Sequence, residues 1–63
     1  ENKYMNIIAT LIVSFVLNGT PQRISVYSSS IESCVRHDSR TAEAAVRAMG
    51  GTDVNTICYA RLD

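Results

Sequence analysis

Residues 5–17, MNIIATLIVSFVL, hold the densest run of apolar bulk in the chain, so any core must form on them. The odd positions Met5, Ile7, Ala9, Leu11, Val13, Phe15 and Leu17 are all apolar. The even positions are mixed: Asn6, Thr10 and Ser14 are polar, and Ile8, Ile12 and Val16 are not. Alternation of period two, with many β-branched residues, predicts a strand with one dry face. A membrane-spanning helix needs about 20 apolar residues, and this run is shorter and interrupted, so no membrane span is expected. Lys3 ahead of a short apolar run also suits a secretory leader, but no small-x-small cleavage site follows it.

Asn18-Gly19 comes next and supplies the two positive-φ residues of a type I′ hairpin turn, with Thr20-Pro21-Gln22 read as part of the turn. Arg23-Ile24-Ser25-Val26-Tyr27 alternates again and predicts the returning strand. A two-residue loop would pair Val13 with Ile24 and Leu11 with Val26; a four-residue loop would pair Phe15 with Ile24 and Val13 with Val26. A three-residue loop would mix the faces. Either even loop points Ile24 and Val26 inward and Arg23, Ser25 and Tyr27 outward.

Ser28-Ser29-Ser30 closes the hairpin and opens a helix, with Ser29 and Glu32 spaced as a capping box. Ile31, Cys34, Val35, Ala42, Ala45, Val46 and Met49 fit one helical face. Asp38, Ser39 and Thr41 are weak helix formers, which predicts a kink or break there. Gly50-Gly51 predicts a left-handed stop. Val54–Leu62 then reads as a third strand, with Val54, Thr56, Cys58, Ala60 and Leu62 on one face and Asn55, Ile57, Tyr59 and Arg61 on the other.

The expected fold is a single α+β domain over residues 1–63, ββαβ. Its three-stranded, mainly antiparallel sheet has the order 2-1-3, with one helix on one face. A right-handed crossover places the third strand beside the first and puts the most apolar strand at the centre. A chain of 63 residues buries only about 60% of its unfolded surface and gains from a staple. Cys34 and Cys58 can provide one if Cys58 faces the helix, and a bridge over that loop is worth about 3 kcal/mol. Two free thiols in a reducing compartment are the alternative, so the localisation stays open: host cytoplasm in one case, periplasm or exterior in the other.

Little in the sequence points to chemistry. Arg36-His37-Asp38 groups catalytic residue types, but neighbours on a helix diverge by about 100°, and no catalytic residue is assigned. Two cysteines and a single histidine are too few for a zinc site, so no metal or cofactor is expected. The serine run lacks a glycine-flanked elbow. Glu32–Arg36 and Glu43–Arg47 are favourable i,i+4 pairs that lace the helix surface, with Arg40 nearby. Asn18-Gly19-Thr20 matches an N-glycosylation sequon. Six basic and six acidic residues cancel, which argues against a nucleic-acid partner and leaves self-association open.

One helix shields one side of such a sheet. The other side would display Tyr4, Ile8, Ile12, Val16, Tyr27, Ile57 and Tyr59, more apolar and aromatic surface than a quiet solvent face carries. This face is the candidate working surface, for a protein partner or a second copy; a curled strand or a broken helix covering more of it is the alternative. Asn18-Gly19-Thr20-Pro21, Val26-Tyr27-Ser28, Cys34 and Cys58-Tyr59, set in a hairpin, a helix and a last strand, resemble small bacteriophage- and prophage-encoded proteins. That resemblance implies a non-enzymatic accessory factor that binds a host component. A small exported, disulfide-stabilised protein is the second expectation, and a nucleic-acid-associated factor the third.

Overall fold

The computed structural model describes residues 7–62, with the side chains of residues 9–60. Strand β1 spans Ile7–Leu17; Met5 and Asn6, expected in the same strand, lie outside the described residues. Asn18 and Gly19 have φ of 53° and 78°, the left-handed pair that a two-residue type I′ loop requires. Leu11 therefore pairs with Val26 and Val13 with Ile24, the two-residue register. Strand β2, Thr20–Ser28, begins at the turn itself, three residues before the expected Arg23. Pro21 fits there because its position, opposite Val16, directs its nitrogen away from β1, where no ladder donor is needed.

Helix α1 covers residues 31–48 and strand β3 spans Thr52–Leu62, two residues earlier than the sequence suggests. β3 runs antiparallel to β1, giving the sheet order β2-β1-β3. Val16 pairs with Thr52 and Ser14 with Asn55, so Asp53 and Val54 together oppose Phe15 in a bulge. Asp53 absorbs the extra residue with φ of 52°.

The helix begins at Ser30, not Ser29: the Ser30 hydroxyl accepts the Ser33 amide at 3.0 Å. Three consecutive serines offer the same capping chemistry, and the path of the chain out of β2 chooses among them. In place of a break at Asp38, the helix passes through one wide π turn, Cys34–Asp38, into the regular segment Ser39–Ala48. The turn has a packing reason. In an uninterrupted α-helix, Cys34 and Val46 would face about 120° apart. Absorbing one residue in the wide turn brings them within about 20° of each other, and both are buried against the sheet. The same correction swings Ala45 and Met49 outward and leaves Val35 exposed, so the expected stripe narrows to Ile31, Cys34, Ala42 and Val46.

Among the described residues the core consists of Ala9, Leu11, Val13 and Phe15 from β1 with Cys34 and Val46 from α1, flanked by Leu17, Ile31, Ala42, Val54 and Cys58. A disulfide joins Cys34 to Cys58, pinning helix to sheet with the Cα atoms 6.1 Å apart. β2 contributes no apolar residue to this core. Ile24 and Val26 share the face of Leu11 and Val13, yet stay 43% and 40% exposed. They point to the inward face, as the register predicts, but the bridge tethers the helix to β3 and leaves this part of β2 uncovered. At its end α1 closes with the Gly50 amide on Arg47 O at 3.0 Å and the Gly51 amide on Val46 O at 2.9 Å, Gly50 taking φ of 97°. Gly51 is buried so tightly that a Cβ there would collide with Val46.

Candidate functional site

The sheet face opposite α1 is assembled row by row from the strand register. Tyr27, Thr10 and Tyr59 lie side by side across β2, β1 and β3. Ser25, Ile12 and Ile57 form the next row, then Arg23, Ser14 and Asn55, and Pro21 sits with Val16 nearest the turn. The central strand supplies half-buried Ile12 and Val16, and the outer strands supply the rings and the exposed isoleucine. Tyr27, Ile57 and Tyr59 are 69%, 53% and 47% exposed, and no described element covers them. Of the face expected from sequence, Ile12, Val16, Tyr27, Ile57 and Tyr59 are brought together. Tyr4 and the side chain of Ile8 lie outside what is described.

Thr10 is the residue that alternation alone did not single out. It sits between the two tyrosines, is only 3% exposed, and its hydroxyl has no hydrogen-bond partner among the described residues. A buried hydroxyl left unpaired costs about 1–3 kcal/mol, so this polar atom is held dry at the centre of the face. Near the hairpin end, Ser14, Val16, Pro21, Arg23 and Asp53 border a shallow hollow of about 410 Å³. Arg23 and Asp53 give its rim one charge of each sign.

The remaining polar groups are used to hold the fold. Ser28 donates its hydroxyl to Asp38 at 2.5 Å, which ties the end of β2 to the π turn, while His37 points to solvent on the helix surface. Ser39 returns its hydroxyl to Val35 O at 2.9 Å and occupies a carbonyl at that turn. Arg36 pairs with Glu32 at 3.5 Å and Arg47 with Glu43 at 2.8 Å, as the spacing predicts. Those pairs neutralise two of the helix arginines, leaving Arg40 as the helix arginine without a carboxylate partner among the described residues.

Among the described residues no three His, Cys, Asp or Glu side chains gather as metal ligands would, and no helix is long and apolar enough to cross a membrane. No protein-family model, no curated protein and no solved structure matches the chain.

Proposed function

We propose that this is a non-enzymatic interaction protein that engages a protein partner through the open sheet face. The observation that carries the reading is the aromatic and aliphatic surface of Tyr27, Ile57 and Tyr59 around Ile12, which no described element covers. Tyrosine suits such a surface because its ring buries area while its hydroxyl stays hydrated, with little side-chain entropy to lose. The resemblance of the hairpin, Val26-Tyr27-Ser28 and Cys58-Tyr59 to phage and prophage proteins is what supports a partner among host components. The chain then acts as an accessory factor. The test is capture from a host lysate with wild type, Ile12→Glu and Ala44→Glu side by side. A partner held by wild type and by Ala44→Glu, on the exposed helix surface, but lost with Ile12→Glu, supports the reading. Capture that is indifferent to Ile12→Glu overturns it.

The Cys34–Cys58 bond favours a second reading, a small exported protein in an oxidising compartment. Thiol titration under denaturing conditions, on protein isolated from its native compartment, separates the two. Two free thiols count against export.

A further inference from the structure

We infer that strand β2 is a self-complementary edge, and that two copies of the chain join through it into one continuous six-stranded sheet. β2 is the outer strand on its side of the described sheet, and every residue from Thr20 to Tyr27 is exposed. Hydrogen bonding alternates along an antiparallel pair, and the two-residue turn makes Leu17 and Thr20 a bonded pair. The backbone groups of Pro21, Arg23, Ser25 and Tyr27 therefore point away from β1. Pro21 protects the end near the turn, and from Arg23 to Tyr27 the single charge of Arg23 is the one device that blunts an edge. The opposite edge differs: β3 lies under the tethered helix and is distorted by the Asp53 bulge.

The sequence of β2 selects one two-fold register, centred on Ser25. Ser25 then faces Ser25 of the second copy, and Arg23 faces Tyr27 of the second copy, so the outward N–H and C=O groups of all three residues are satisfied. On the helix side, Ile24 of each copy meets Val26 of the other, which covers the two apolar residues that α1 fails to reach. On the open side, each guanidinium lies beside a tyrosine ring, a favourable cation–π arrangement. Neighbouring registers are worse. Centring on Arg23 opposes like charges. Centring on Ile24 asks Pro21 for a donor it lacks and sets Val26 against Gln22. Centring on Val26 places Ile24 against Ser28, whose hydroxyl is committed to Asp38. Both helices end on one side of the joined sheet, with Ile24 and Val26 of the two copies flooring the groove between them. The open face of each copy stays available, so the inference does not depend on the proposed function.

Sedimentation equilibrium and amide hydrogen exchange on the wild-type protein test it, with Ser25→Pro and Ile12→Glu as variants. The expected result is a two-chain mass, protected amides at Arg23, Ser25 and Tyr27, and a dimer that Ile12→Glu leaves intact. Ser25→Pro removes an outward donor without touching the β1 ladder, so it yields a monomer that keeps the far-UV circular dichroism of wild type. A one-chain mass at every concentration overturns the inference. So does a dimer whose Arg23, Ser25 and Tyr27 amides exchange as freely as an open edge. Exchange on wild type decides the matter even if Ser25→Pro fails to fold.

Discussion

The buried hydroxyl of Thr10 has no partner among the described residues, so Thr10→Val removes a desolvated polar atom at nearly constant shape. Chemical denaturation of the variant should show a gain of about 1 kcal/mol; a loss would mean that the hydroxyl is paired in solution. Gly51 packs against Val46 and Phe15 with no room for a Cβ. Gly51→Ala should cost about 2 kcal/mol through overpacking, and more than Gly50→Ala, whose site is sterically open and penalised only by its positive φ. Equal midpoints for the two variants would remove the packing explanation. Ser28 and Asp38 show how a chain of this size uses its polar groups: the bond between them fixes the π turn over the end of β2.

At the scale of elements, the π turn of α1 acts as a phase adjuster. Deleting Val35, an exposed residue within it, should let residues 31–48 close into a regular α-helix while Cys34 and Val46 still face the sheet. The deletion variant is expected to keep the Cys34–Cys58 bond and to unfold near the wild-type midpoint. Deleting Ala44 from the regular segment instead rotates Val46 out of the core by about 100°. That variant should lose about 2–3 kcal/mol, much as burial of a valine would suggest. If both deletions cost the same, the wide turn has no role in aligning the two residues. Part of this was legible beforehand. Asn18-Gly19 marked the turn, with a two- and a four-residue loop both open, and the alternation of β3 put Cys58 on the face with Val54 and Leu62. The π turn was not legible, because its cause lies in where the sheet holds Cys34 and Val46. The 3.6-residue pattern written along the helix does not carry that information.

For the whole molecule, the described core is narrow. Among the described residues its buried apolar side chains come from β1 and α1, with β3 at the flank and β2 outside it. The Cys34–Cys58 bond therefore supports the helix where packing is one-sided. Reduction should lower unfolding stability by about 3 kcal/mol and shift the urea midpoint accordingly; an unchanged midpoint would show that packing alone holds α1. Both surfaces left over, the open face around Ile12 and the β2 edge with Ile24 and Val26, follow from one helix covering a three-stranded sheet off-centre. Of the face expected from the sequence, the residues within the described region do share one side. The exposure of Ile24 and Val26 on the other side was not foreseeable, because alternation says which face a residue takes and nothing about what lies above it.

Local chemistry determined the positive-φ turn at Asn18-Gly19, the strand character of residues 7–17, the α+β order of elements and the face that each cysteine takes. These depend on φ preference, side-chain parity and loop geometry, all of which are written within a few neighbouring residues. Tertiary structure decided the wide turn, the choice of Ser30 as cap, the bulge at Asp53 and the lateral position of the helix. Each of those reconciles two rigid parts whose meeting distance no short stretch of chain encodes.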